Sequence, residues 1–137
     1  MNKEEILKVL DYYNFDKSNY IVISGASMVL QDVKEYTSDI DIAVSQEYFK
    51  YLLSNYECVF ERVNEYGMEV YFTYDFINFS TAYYDSEYTL VNGIKVQSIE
   101  SIIELKSKLN REKDKNDIKL LKLKLEKRCV NGYFDMF

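Results

Sequence analysis

The sequence predicts one α/β (α+β) domain over residues 1–137, with a mixed sheet, helices flanking it and a helical C-terminus. Three observations carry that expectation. The hydrophobic spacing runs helix, strand, helix, strand, helix, then several strands, then two helices. The 137 residues are 47% apolar and 29% charged, enough for one core and hardly for two. No proline and only four glycines occur, so there is no Pro-rich or Gly/Ser linker to divide the chain.

Taken in order, Glu4 to Tyr13 sets Ile6, Leu7, Leu10 and Tyr13 on one helical face. The β-branched run Tyr20-Ile21-Val22-Ile23-Ser24 reads as a strand buried on both faces. Gly25-Ala26-Ser27 is expected to turn out of it, with a helix from Met28 to Val33. Ser38 to Val44 reads as a second strand. Gln46 to Asn55 reads as a helix, with Tyr48, Leu52 and Tyr56 at helical spacing. Glu57–Arg62, Met68–Tyr74, Phe76–Tyr83 and Ile94–Val96 are rich in Val, Tyr, Phe and Thr and read as strands. Asn92-Gly93 is a hairpin signal. Ile99 to Asn110, opened by Ser98, and Lys113 to Lys127 read as the last two helices.

Composition excludes several chemistries. Without histidine there is no Ser-His-Asp triad, no Cys-His pair and no His-ligated zinc site. The net charge of −6 is the wrong sign for a protein that lives on phosphate contacts to nucleic acid. Cys58 and Cys129 lack CxxC spacing and read as buried thiols in a reducing compartment. The N-terminal acids Glu4 and Glu5 do not suit a signal peptide, and no uncharged run nears the roughly 20 residues that cross a bilayer. The expectation is a cytoplasmic protein with no membrane partner.

The sharpest local pattern is Thr37-Ser38-Asp39-Ile40-Asp41-Ile42-Ala43-Val44. Residues two apart on a strand share a face, so Asp39 and Asp41 stand together while Ile40, Ile42 and Val44 fill the other side. Two adjacent carboxylates on a half-buried strand repel and resist desolvation, and a cation between them relieves both effects. Oxygen ligands without His or Cys suit Mg²⁺ or Mn²⁺, which keep waters and substrate phosphates in their shell. The bland reading is a solvated strand end bearing two surface acids. Upstream, the strand–glycine–helix passage Ile23-Ser24-Gly25-Ala26-Ser27 would let backbone N–H groups approach a phosphate, with the Ser27 hydroxyl assisting.

Together these segments resemble the nucleotidyltransferase superfamily that includes DNA polymerase β. The likeness is closer to its small bacterial members, related to the minimal nucleotidyltransferases and AbiEii-type toxins. The residues that carry it are Gly25-Ala26, then Thr37-Ser38-Asp39-Ile40-Asp41, then Lys106 and Arg111-Glu112-Lys113-Asp114-Lys115-Asn116-Asp117, spanning about Tyr20 to Leu121. The resemblance implies that fold and the transfer of a nucleoside monophosphate from an NTP to an acceptor hydroxyl on RNA, a protein or a small molecule. Mg²⁺ (or Mn²⁺) would sit on Asp39 and Asp41, with Gly25, Ala26, Ser27, Ser38 and Lys106 around the nucleotide. The family's third carboxylate falls on Asn78, with Asp75, Asp85 or Glu69 as substitutes under another register. Two departures are explicit: an amide at position 78, and Ala26 where the family has Gly or Ser. The alternative is a catalytically degenerate domain of the same fold that binds a nucleotide or a co-encoded protein partner, as in a toxin–antitoxin pair.

The C-terminal helices carry a lysine on an apolar stripe, since Ile99, Ile102, Ile103 and Lys106 share a face. Lys106 either snorkels to water or meets a buried acid or anion. Asp114 and Asp117 read as capping acids, or as a salt-bridge brace for the last helices. Lys119, Lys122, Lys124 and Lys127 read as a solvated face. The apolar tail Tyr133–Phe137 either packs on the domain or meets a partner.

Overall fold

The computed structural model describes residues 1–135, side chains beyond residue 128 excepted. Helix α1 (Lys3–Tyr13) opens with a capping box, in which the Asn2 side chain accepts from the Glu5 N–H and Glu5 accepts from the Asn2 N–H. It closes at Asn14 in the left-handed conformation, φ 50°. Strand β1 (Tyr20–Ile23) is buried at every position, as its β-branched run predicts. Helix α2 (Ser24–Leu30) follows without a loop. The expected Gly25-Ala26-Ser27 turn is therefore its first turn of helix, and the bend is made by Ser24 alone at φ 56°. Strand β2 (Ile40–Val44) begins one residue after Asp39, and helix α3 (Gln46–Asn55) matches its expected bounds.

Next come β3 (Val59–Val63), β4 (Glu69–Thr73), β5 (Ile77–Ser80), β6 (Tyr88–Val91) and β7 (Ile94–Gln97), then α4 (Ile99–Leu109) and α5 (Lys115–Asp135). The expected strand Phe76–Tyr83 ends early at Ser80, and β6 is an additional strand. The Asn92-Gly93 turn joins β6 to β7, with φ 51° and 78° at its two residues as a type I′ turn requires.

All seven strands form one mixed sheet in the order β3-β4-β5-β2-β1-β7-β6. β1 runs antiparallel to β2 and parallel to β7, while β2 runs parallel to β5. Ile40, Ile42 and Val44 join Ile6, Leu10, Val29 and Leu52 in the main core between the sheet and helices α1 to α3. Asp41 and Ala43 thus face the other side of the sheet, where Ile21, Ile23 and Ala43 form a small buried cluster under the half-buried Tyr83 and Tyr84. Helices α4 and α5 meet α2 around Met28, Ile99, Ile102 and Leu121.

Ser98 caps α4 by accepting from the Ser101 N–H at 3.1 Å, as expected. Lys119, Lys122 and Lys127 are exposed, and Lys124 is partly so. Cys58 is half-buried rather than buried, and burial pushes its thiol pKa up. The side chains of Cys129 and the tail Tyr133–Phe137 lie outside the described residues. Among the described residues, no helix is long and apolar enough to cross a membrane.

Candidate functional site

The second face of the sheet bears a cavity of about 240 Å³ between β1, β2, β5, the β3–β4 hairpin and α4. Asp41 and Asn78 line it as direct neighbours, because β2 and β5 pair in parallel with Asp41 opposite Asn78. Asp39 stands just before β2, and the Asn78 amide donates to its Oδ2 at 3.1 Å. Asn78 is also the register partner of Asp41 across the β2–β5 pairing, so its amide lies beside both acids. The register leaves Asn78 in place. Asp75 sits in the β4–β5 turn, Asp85 is exposed, and Glu69 accepts from the Tyr71 hydroxyl.

The acid pair is electrostatically uncomfortable. Burial raises the Asp41 pKa most, the Asp39 charge raises it further, and the Asn78 hydrogen bond and the Arg62 charge oppose, leaving it at about 6. Two carboxylates and one amide oxygen suit a single hard divalent cation, which completes its shell with water and phosphate. Among the described residues no third acid joins them, so the donor set fits one such ion and lacks the anionic ligand a second would want.

The other expected contacts divide. Gly25 stands where a Cβ would come within 3.2 Å of Thr37 Oγ1, so glycine is favoured there by close approach and not by its dihedral. That Thr37 hydroxyl donates to the Asp39 carbonyl at 3.1 Å, tying Gly25 to the position of the acids. Gly25→Ala is expected to destabilise the domain by about 1 kcal/mol, the crowding of Thr37 outweighing the better helix propensity of alanine, as read by thermal unfolding.

Ala26 is part of the main core. Ser27 is fully buried and its hydroxyl donates to the Gln97 carbonyl at 3.3 Å, so the anticipated contact of that hydroxyl with a phosphate is corrected: burial commits it to β7. Ser24 lines the cavity in its stead, its N–H donating to Gln97 Oε1 at 3.3 Å. Ser38 is exposed beside Asp39.

Lys106 lines the cavity, yet its ammonium is held by Asp114 at 2.9 Å and Asp117 at 3.4 Å. Arg111 Nε donates to Asp114 at 2.6 Å, and Lys34 bridges Asp117 at 2.9 Å. The two acids therefore brace α4, α5 and the segment after α2, and Asp117 also lies in the first turn of α5 as expected. Arg62, Glu65 and Tyr83 were not legible as site residues. They arrive from the β3–β4 hairpin and the segment after β5, and only the strand order gathers them. The Tyr83 hydroxyl donates to Glu65 at 2.7 Å, which holds the Glu65 carboxyl below its ordinary pKa.

Compared with known proteins, the chain matches no family model, no curated protein and no solved structure.

Proposed function

We propose that the domain is a nucleotidyltransferase-like protein that binds an NTP with Mg²⁺ or Mn²⁺ at Asp39 and Asp41. The observation that carries this reading is the Asp39–Asn78–Asp41 arrangement. Asn78 donates to Asp39 and stands opposite Asp41 in the sheet, and burial together with the Asp39 charge lifts Asp41 to a pKa of about 6, a cost that a bound cation removes. The guanidinium groups of Arg62 and Arg111 line the same cavity as Asp41 and suit the phosphates of the nucleotide.

The reaction class is nucleotidyl transfer. The acceptor oxygen bonds to the α-phosphorus, the bond to pyrophosphate breaks, and the hydroxyl proton is released. The ion would supply charge neutralisation on the phosphates. The chain's own residues bind and orient: Asn78 fixes the acid pair, Ser24 shapes the β1–α2 corner, and the Lys106 brace holds α4 as the opposite wall.

A second reading is favoured by one specific feature. Asn78 is neutral and accepts protons poorly, so a domain of this kind can hold a nucleotide, or a protein partner, and transfer nothing. Calorimetric titration of Mg²⁺ and each NTP into wild type and Asp39→Ala/Asp41→Ala tests the shared site. Binding lost in the double variant is expected, and binding that survives it removes both readings. Incubation with α-labelled NTPs and cell extract separates the two: a labelled product supports transfer, and its absence with binding intact supports the binding module.

A further inference from the structure

A separate feature lies on the helical side of the sheet, where aromatic rings gather around the C-terminal ends of α1 and α3. Tyr48 and Tyr51, one turn apart on α3, stack at 5.4 Å with planes only 13° apart and form a ridge. Phe15 and Tyr56 meet edge-on at 5.6 Å on the other side. Tyr74 extends the surface, edge-on to Tyr56 at 6.1 Å and stacked on Tyr13 at 4.1 Å. Between ridge and wall runs an open groove of about 710 Å³. Phe15 and Tyr48 are buried at the base of the two sides, while Tyr51 on the ridge and Tyr74 beyond the groove keep 49% and 43% of their surface in water. Tyr74 and Asp75 hold φ at 53° and 63°, a conformation bulky residues avoid, so the turn that presents Tyr74 is strained.

We propose that this groove docks a proline-rich segment of a partner protein that carries a basic residue. Polyproline II segments are recognised by grooves lined with aromatic rings, because the extended ligand loses little entropy and its pyrrolidines pack on flat faces. The rim supplies the charge: Asp16 and Glu47 line the groove with Lys17 the one cation among the lining residues, and Lys95 outside it helps keep Asp16 ionised. Ser18 and Asn19 hydrogen-bond the Asp16 carboxylate and hold it in its charged form. An arginine or lysine of the ligand is thereby offered both a carboxylate and a tyrosine face. Stacked tyrosines also suit nucleobases, but a strand of phosphates needs a cationic track, which two acids and one lysine do not make. The chain itself contains no proline, so neither its own segments nor a second copy can fill the groove in this way.

The test uses the full chain and three probes, followed by calorimetry and amide chemical shifts: a Pro-Pro-Arg repeat peptide, a Gly-Ser-Arg repeat peptide of equal charge, and oligothymidylate. The proline-arginine peptide is expected to bind and to shift the amides around Tyr51 and Asp16. Tyr51→Ala and Glu47→Gln, both at exposed positions, are each expected to weaken it several-fold with the domain still folding cooperatively. No binding of that peptide at millimolar concentration overturns the proposal. So do equal binding of the proline-free peptide, tighter binding of oligothymidylate, or affinity indifferent to both substitutions.

Discussion

Lys106→Met is expected to destabilise the domain by about 3 kcal/mol, measured as a lower urea midpoint at unchanged slope. The Lys106 side chain is 12% exposed and that of Asp114 is 4%, so the variant leaves a buried carboxylate short of one partner. Loss of one member of a buried pair runs to about 3–5 kcal/mol. The low end applies because Asp114 keeps Arg111 and Asp117 keeps Lys34. Removing the charge along with its partner reverses most of the effect, so Lys106→Met/Asp114→Leu is expected to be more stable than Lys106→Met alone.

The same cluster has a pH signature. Burial alone would raise Asp114, but the hydrogen bonds and charges of Arg111 and Lys106 outweigh it and hold the carboxyl below its usual 3.8. A depressed carboxylate stabilises the fold above its unfolded pKa and loses that contribution as pH falls below about 3.8 toward the folded value. Acid unfolding of wild type is therefore expected to steepen below that pH, and that of Asp114→Leu to be flatter there.

Asp41→Asn is expected to act in the opposite direction, stabilising the metal-free protein by about 2 kcal/mol at pH 8. Asp41 is raised from 3.8 to about 6, so the folded state binds its proton more tightly than the unfolded state does. Ionised Asp41 consequently costs stability above pH 6. Metal-free wild type gains stability as pH falls through about 6, and the gain is complete near 3.8. Mg²⁺ requires the ionised form, so its stabilising effect should be large at pH 8 and small at pH 5. Thermal unfolding at the two pH values, with and without Mg²⁺, reads all of this. An Asp41→Asn protein no more stable than wild type at pH 8 would show that the acid pair carries no strain, and the argument for a cation there would lose its footing.

Helices α1, α3 and α4 were legible because each carries its own signal. The apolar face of Glu4 to Tyr13, the Ser98 cap and the helical spacing in Gln46–Asn55 are local, and they appear as read. The acid pair was legible for the same reason, since strand periodicity alone places Asp39 and Asp41 together. The glycine passage was misread because its glycine answers to Thr37, twelve residues away, and not to a turn of its own. Strand β6 was missed because an exposed edge strand of four residues, Tyr88 to Val91, shows no buried alternation.

Local order along the chain determined the element types, the Asp-x-Asp face and the lysine on an apolar helical stripe. The tertiary structure alone decided which strand lies beside Asp41, that Ser27 faces β7 and not a ligand, and that Lys106 is engaged by Asp114 and Asp117. The physical reason is that periodicity and capping act within a few residues. Strand order and ion pairing are set by contacts between distant segments, and spacing in one segment carries no record of what packs against it.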